Sequence, residues 1–571
     1  MNKRILALPI TALAILLTSC KTLQFGDVKS DLRVTEQNYE LTATSEVILT
    51  AESGEKLAPQ ENVSFSPGYD AGNVIVIRPD IRKQEIDGIG SSFTESSAFV
   101  LAHLEPEKRK EVMHKIYSED GANFSMARTV IGSTDFSVEG KFSYADVKGD
   151  KKLKHFSLGV DKDGFSTENY PGIKDTSFDL LPMIKEAQAI KSAQDDSTLS
   201  IVASAWTAPS WMKDIETWFI PLSAENNWQG TGGVLKEQYV QTYADYLARY
   251  LAEYKKEGID IWGMTPVNEP HGNSGQWESM HFSPESQNDF VKKYMGPTLH
   301  AAGFEDVNVL VYDQNRDHMM EWADAIIGDS ETAKYVHGIG VHWYASTFKV
   351  FEDEMNEFNE AYPDFAIIHT EGTIDNLGVE APLSGIMDRD GYQEENWFDN
   401  DEFWWNKTAS DWAYSAEWAG PAREDHPLYV PVHRYARNII VSLNNWMTGW
   451  IDWNVVLDAQ GGPNHVGNFC GAPIMIDTET GYVYYTPIYH VMAQLSRTIR
   501  PGDTAVQAYK YLDGLDEDTL HASATVSPDN LMSVQVLNTS KEPVDYALQV
   551  GGQHADVTIP ANSLQTLRFQ L

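Results

Sequence analysis

Apolar positions follow two different rhythms along this chain. From Tyr39 to Ile81, short strand-like runs (Glu46–Thr50, Val74–Ile77) stand between turn residues. The C-terminal stretch repeats the habit: Met532–Leu537, Val544–Val550 and Val557–Ile559 are β-rich, partly alternating, and separated by Ser-Pro-Asp-Asn, Lys-Glu-Pro and Gly-Gly breaks. Both ends are predicted to be all-β and to pack together as one sandwich. The middle reads otherwise. Apolar runs recur at Gln84–Gly90, Ala122–Ile131, Leu199–Trp206, Asp260–Val267, Val307–Asp313, His337–Trp343, Phe365–Thr370 and Trp446–Trp453, and helical stretches separate most of them. In the clearest, Glu237–Glu257, residues Val240, Tyr243, Leu247, Tyr250, Leu251 and Tyr254 keep a 3/4 spacing. Another is predicted to start at Ser283-Pro284, a capping serine followed by proline at the first helical position. Strands alternating with helices in this number predict an α/β fold, a (β/α)8 barrel with a side β-sandwich built from both chain ends. A doubly wound open sheet is the alternative, but no Gly-rich phosphate loop follows the first strand and no GxGxxG or Walker motif is present. The predicted segments are residues 1–20 (signal), 21–34 (tether), 35–82 (N-terminal strands), 83–497 (barrel) and 498–571 (C-terminal sandwich).

Barrels of this kind place their chemistry where strands end at the C-terminal face. The fourth run closes on Asn268-Glu269-Pro270 and the seventh on Thr370-Glu371-Gly372, so each ends in a glutamate inside a breaker-flanked turn. Either alone is a weak signal, because acidic residues commonly cap helices and turns. On strands four and seven of one barrel they face each other across the mouth and could flank a glycosidic bond. A retaining glycosidase needs such a pair about 5–5.5 Å apart, one as nucleophile and one as acid and then base. Neighbouring strand ends bring Trp206, Trp211 and Lys213, then His342, Trp343 and Tyr344, then Trp450, Asp452, Trp453 and Asn454. The second strand leads into Arg128 and Ser133-Thr134-Asp135. Aromatic faces take the C–H surface of a sugar, and carboxylates and amides take its hydroxyls. Core packing is the competing reading for each tryptophan. His337, His342, His369, His426 and His433 show no HExxH or comparable spacing, and a carboxylate pair hydrolyses without metal, so no metal or cofactor is expected.

Charge and cysteine usage narrow the setting. The 571 residues carry 83 acidic and 43 basic side chains, a formal net charge of −40, which argues against a nucleic-acid partner. An apolar fraction of 42% with 16 tryptophans supplies a large core and excludes a disordered chain. Cys20 and Cys470 cannot make a disulfide framework; Cys470 reads as buried. Lys3 and Arg4 lead an apolar run from Ile5 to Leu17 that closes on Leu17-Thr18-Ser19-Cys20, an export signal too short to span a bilayer comfortably. Leu-Thr-Ser-Cys resembles the bacterial lipobox, which makes Cys20 the lipidated N-terminus of an exported protein. Lys21 after that cysteine suggests the outer membrane. Membrane contact is expected through this anchor alone, with no obligate protein partner.

The motifs Ala205-Trp-Thr-Ala-Pro-Ser-Trp-Met-Lys213, Thr265-Pro-Val-Asn-Glu-Pro270, Lys334-Tyr-Val-His-Gly-Ile-Gly-Val-His-Trp-Tyr344, Gly449-Trp-Ile-Asp-Trp-Asn454 and Gly461-Gly-Pro-Asn464 occur in that order. Together they resemble glycoside hydrolase family 30, over roughly residues 65–571. The resemblance implies a barrel with a side β-sandwich, Glu269 as acid/base, Glu371 as nucleophile and Asn268 as ligand of the sugar 2-OH. It also implies a binding shell of Arg128, Asp135, Trp206, His342, Tyr344, Trp453 and Asn468. The family acts on ceramide glucosides, β-1,6-glucans, xylans and fucosides. For an exported lipoprotein, β-glucan or its oligosaccharides, with β-1,6 linkages foremost, is the expected substrate. Glucosylceramidase or β-xylosidase activity is the alternative on the same scaffold, and a non-catalytic glycan-binding lipoprotein the alternative of another class. Two segments depart from the family pattern: His271–His281, and Asp375–Pro427 with Trp397, Trp404, Trp405, Trp412 and Trp418. Both would border the region beyond the bound glucose. The second reads either as an extra sugar platform or as packing for the seventh helix.

Overall fold

A computed structural model describes residues 39–68, 72–194, 198–346, 349–374 and 431–571. The export signal with Cys20, the tether and the tryptophan-rich stretch Asp375–Pro427 lie outside the described residues. Eight parallel strands close into a barrel in sequence order: Gly88–Ser91, Met126–Val130, Ser200–Ser204, Gly263–Met264, Asn308–Asn315, Gly338–His342, Ala366–Glu371 and Met447–Asp452. Each falls within or overlaps one of the predicted apolar runs. Their near-continuous apolar character follows from burial on both faces: Met126, Val202, Leu310, Ile368 and Ile451 fill the barrel interior, and helices cover the outside. The helix Val240–Lys256 buries Tyr243, Leu247, Tyr250, Leu251 and Tyr254, the stripe read from the 3/4 spacing. Ser283 caps Pro284–Phe290, its hydroxyl accepting from the Ser286 N–H.

Both chain ends meet in one sheet of ten strands. Thr44–Ala51 pairs antiparallel with the last strand, Ser563–Gln570, and Val74–Glu85 lies between Thr504–Tyr511 and Val544–Val550. The sheet folds over a single core containing Val47, Ile75, Ile77, Val534, Leu548, Val557 and Leu567. Across that core the Tyr546 hydroxyl donates to Gln565 Oε1 at 2.9 Å. Leu520–Val526 is a full member of the sheet although its Ala- and Ser-rich sequence dilutes the apolar signal. A further three-stranded sheet (Val456–Asp458, Ile474–Asp477, Tyr482–Tyr485) follows the eighth barrel strand. Gln494, buried on the helix Pro487–Thr498, joins the two bodies: it accepts from the Thr50 hydroxyl at 2.6 Å and donates to Leu564 O at 3.1 Å. Among the described residues no helix is long and apolar enough to cross a membrane.

Candidate active site

The fourth strand leaves the barrel ladder early, after Met264, and its backbone is then held by its neighbours. Asn268 N–H donates to Ala205 O at 2.8 Å, and Glu269 N–H donates to Asp313 O at 3.0 Å. Glu269 sits at φ +48°, a left-handed conformation that costs a non-glycine residue about 1–2 kcal/mol. Such outliers mark sites where surrounding contacts dictate the geometry. The fifth strand does the same at Tyr312 and Asp313, with φ of +73° and +70°. This bend turns the Asp313 carboxylate into the barrel. On the opposite side Glu371 ends the seventh strand and pairs in register with His342.

These turns bring the polar groups together. One carboxylate oxygen of Glu269, one of Glu371 and one ring nitrogen of His342 lie within 4.8 Å of one another. Beneath them Arg128, wholly buried, donates to Glu371 Oε2, to Asn268 Oδ1 at 2.8 Å and to Asp313 Oδ2 at 2.7 Å. The Tyr344 hydroxyl donates to Glu371 Oε1 at 3.1 Å. His342 stands between acids, its Nε2 3.0 Å from Asp313 Oδ1 and its Nδ1 3.5 Å from Glu269 Oε1. Burial opposes a charge on this imidazole, but Glu371, Asp313 and Glu269 outweigh it and raise its pKa to about 9. Asp313 shows the mirror image. Burial would raise its carboxyl, yet Arg128, His342 and the Thr370 hydroxyl hold it well below the usual carboxylate range. Glu371 is pushed up by burial and by the charges of Glu269 and Asp313, with His342 and Arg128 working against that rise.

Trp206, Trp453, Asp135 and Asn468 adjoin this centre. Trp206 and Trp453 stack with ring centroids 4.9 Å apart, and the Arg128 guanidinium lies 4.8 Å from the Trp206 centroid. Phe136 meets Trp453 edge-on at 6.0 Å, which sets the neighbouring Asp135 beside the pair. Burial raises the Asp135 carboxyl to about 7, while the Asn468 amide donates to its Oδ2 at 3.0 Å. Trp343, Trp450 and Asp452 stand elsewhere than at the mouth. All three are wholly buried, Trp450 stacked on His369 at 3.6 Å and Asp452 accepting from the Tyr435 hydroxyl at 2.7 Å. Lys213 is also internal, donating to the carbonyls of Trp218, Gly232 and Ser279.

Pattern reading passed over three residues. Asp313 closes the fifth apolar run just as Glu269 and Glu371 close theirs, so the strand-end rule would have found it. Glu278 and His465 carry no such signal, for their loops are distant in sequence. The wholly buried Glu278 carboxylate accepts from Ser133 Oγ at 2.9 Å and Lys141 N at 2.7 Å, and its other oxygen lies 3.1 Å from His465 Nε2. His465 Nδ1 lies 3.2 Å from Ser137 O. With acceptors at both ring nitrogens the imidazole is fully satisfied only as a cation. Accordingly its pKa is raised by Glu278 against the effect of burial. This ion pair ties together the segments that follow strands two, four and eight, around Asp135.

Glu269, His342 and Glu371 are also the described residues whose donor atoms approach closely enough to hold a cation. The Arg128 guanidinium and the imidazolium already place positive charge against these carboxylates. That charge opposes a divalent ion at the same oxygens.

Comparison with known proteins gives a consistent result. The Glycosyl hydrolase family 30 TIM-barrel domain matches residues 86–417 and 425–499, and the family 30 β-sandwich domain matches residues 510–567. A lysosomal acid glucosylceramidase of Mus musculus is 27% identical over 481 residues, covering 84% of this chain and 79% of that protein. An endo-1,6-β-D-glucanase of Neurospora crassa is 25% identical over 455 residues, covering 78% and 77%. Among solved structures, SrfJ from Salmonella typhimurium superposes with a TM-score of 0.72 at 22% identity, over 92% of this chain and 100% of that one. The last likeness concerns the fold alone.

Proposed function

This chain belongs to glycoside hydrolase family 30, and from that premise we propose that it is a retaining β-glycosidase that cleaves β-glucosidic bonds, foremost the β-1,6 bonds of glucans. One observation carries the reading: carboxylate oxygens of Glu269 and Glu371 within 4.8 Å of each other across the barrel mouth. That spacing fits the short separation of retaining pairs and leaves no room for the interposed water of inverting ones. The glucose unit enters against Trp206 and Trp453, with Asp135 and Asn468 taking its far hydroxyls. Arg128 occupies Asn268 Oδ1, which leaves the amide N–H groups of Asn268 to face the sugar 2-OH. Glu371 attacks the anomeric carbon while Glu269 gives a proton to the departing oxygen. A covalent glucosyl ester forms on Glu371 and its charge disappears from beside Glu269. Glu269 then takes a proton from water, which displaces the ester with a second inversion.

The preference for β-1,6-glucan draws on the resemblance to the Neurospora crassa endo-1,6-β-D-glucanase and on the export signal, which sends the enzyme among polysaccharides. The likeness to a glucosylceramidase supports glucosylceramide as the second reading. Comparative kcat/KM on β-1,6-glucan, glucosylceramide and aryl β-glucosides separates the two. Proton NMR of the earliest products tests the mechanism. The β anomer is expected first, and an initial α anomer would refute the double displacement.

Anchorage follows from Cys20. Replacing it by serine is expected to release the protein from membrane fractions into the soluble export compartment. A Cys20→Ser protein that stays with membranes rules out the lipid anchor.

A further inference from the structure

The residues after the third barrel strand build a feature that the catalytic chemistry does not use. Asp214 N–H donates to Val234 O at 3.0 Å, and Ile220 and Thr231 exchange a backbone pair at 2.8 and 2.9 Å. Residues 214–235 are therefore a hairpin-like finger on the catalytic face. Its base is pinned by the buried Lys213 ammonium, which donates to Trp218 O and Gly232 O within the finger and to Ser279 O beside it. His281 N–H donates to Gly233 O at 2.8 Å, and Phe282 N–H donates to Pro270 O at 3.0 Å. The finger is thus welded to the segment that runs on from Glu269.

At its tip stands Trp228, 69% exposed, above any other large apolar side chain among the described residues. Leu222 beside it is 43% exposed. The tip is closed by its own hydrogen bonds. Ser223 and Asn226 make a reciprocal capping box over the turn Ala224–Asn226, and Trp228 N–H donates back to Ser223 O at 2.8 Å. Asn227 and Trp228 both take left-handed conformations, φ +55° and +60°. A bulky residue rarely adopts that conformation, and an indole held in water forgoes the burial that normally stabilises it. A rigid turn presenting an aromatic face at such a cost is a binding device in search of its ligand.

Resting on the function proposed above, we propose that Trp228 is a stacking platform for the part of a glucan chain on the leaving-group side of the scissile bond. Position sets the side. The acid that protonates the leaving oxygen is Glu269, and the finger is bonded to the segment following Glu269. Of the glucose-binding residues, Asp135, Trp453 and Asn468 come from the segments after strands two and eight, while Trp206 lies at the root of the connection that carries the finger. Charge sets the ligand class. The tip, residues 221–229, carries Glu225 and neither lysine nor arginine, while at the base Glu216 is paired with Lys148 and Lys236. Such a tip is repelled by anionic lipid headgroups and suits a neutral saccharide, whose C–H face packs on indole while Asn227 and Gln229 meet its hydroxyls.

The test uses the full chain with Trp228→Ala and Trp228→Phe. For each, kcat/KM on a long β-1,6-gluco-oligosaccharide is divided by kcat/KM on an aryl β-glucoside, whose leaving group is too short to reach the finger. The ratio is expected to fall about tenfold in Trp228→Ala, equivalent to about 1.4 kcal/mol, and to recover partly in Trp228→Phe. An unchanged ratio overturns the proposal. In parallel the oligosaccharide is titrated calorimetrically into Glu371→Gln protein with and without Trp228→Ala. Here a Kd weakened about tenfold supports the platform and an equal Kd refutes it, whether or not the unaltered chain turns over either substrate. Failure of turnover alone therefore counts against the catalytic reading and not against Trp228. Vesicles containing glucosylceramide form the last arm. Weaker vesicle binding by Trp228→Ala with the oligosaccharide ratio intact would make the finger a lipid contact and overturn the saccharide assignment.

Discussion

Glu371→Ala is expected to abolish turnover of every substrate, because it removes the carboxylate that attacks the anomeric carbon to form the glucosyl ester. Glu269→Ala is expected to behave differently according to the leaving group. Loss of a proton donor costs typically about 10²–10⁴-fold, and only where the departing oxygen needs that proton. On a β-glucan the variant should be nearly inactive. On an activated aryl glucoside, glucosylation of Glu371 persists while deglucosylation lacks its base, so rapid release of one equivalent of aryl alcohol precedes a slow phase. Azide should restore the slow phase by acting as an external nucleophile, and the glucosyl azide formed should be β. Equal loss on both substrates, with neither burst nor rescue, would exchange or cancel these roles.

Arg128→Met is expected to cost about 3–5 kcal/mol of folding stability as well as activity, since removing one partner of a buried ion pair strands the other. In the unaltered protein Arg128 neutralises Asp313 and Glu371 together, and Asp313 is held far below its unfolded pKa. A depressed carboxyl contributes stability that is present above its unfolded pKa of about 3.9 and is lost as pH falls toward the folded value. Without Arg128 both carboxyls rise, Asp313 from its depressed value and Glu371 further above its already raised one, so keeping them ionised in the fold becomes less favourable as pH rises. Denaturant unfolding should therefore show a small stability difference near pH 4 that widens toward pH 7. The acidic limb of kcat/KM should move to higher pH for the same reason, because Glu371 must be ionised to attack. A stability difference that is constant across this range would mean that Arg128 does not neutralise these acids.

The barrel was legible because parallel strands buried on both faces leave uninterrupted apolar runs, and the helix Val240–Lys256 because one face must meet them. Glu269 and Glu371 were legible because each breaks such a run with a charge. Legibility ended where geometry comes from the backbone or from meeting partners. Only Gly263–Met264 of the fourth run keeps ladder pairing, since the chain departs to set the turn at Glu269. The strand-end position of Asp313 is visible in the sequence, but the left-handed pair at Tyr312 and Asp313 that aims it inward is not. Glu278 and His465 become a pair only once loops 187 residues apart in sequence have folded together. Trp343 and Trp450 fit either a sugar platform or core packing, because a strand-end tryptophan has the same sequence signature whether it faces the mouth or the helices; their packing on Tyr435, His369 and each other decides.

The sheet that joins the chain ends also has a consequence for biosynthesis. Ser45 on the first strand bonds to Arg568 on the last, 523 residues later, and Val74–Glu85 has neighbours that are both made after the entire barrel. During synthesis the early strands emerge before the strands that will pair with them, with open hydrogen-bonding edges and apolar side chains. They must wait for the strands from Thr504 onward, a delay that high contact order makes slow to end and open to misassociation. A chain cut short near its C-terminus would therefore lose its beginning as well as its end. Its topology thus makes the first strands hostage to the last, because only a chain that reaches Ser563–Gln570 can close the sheet against which the barrel rests.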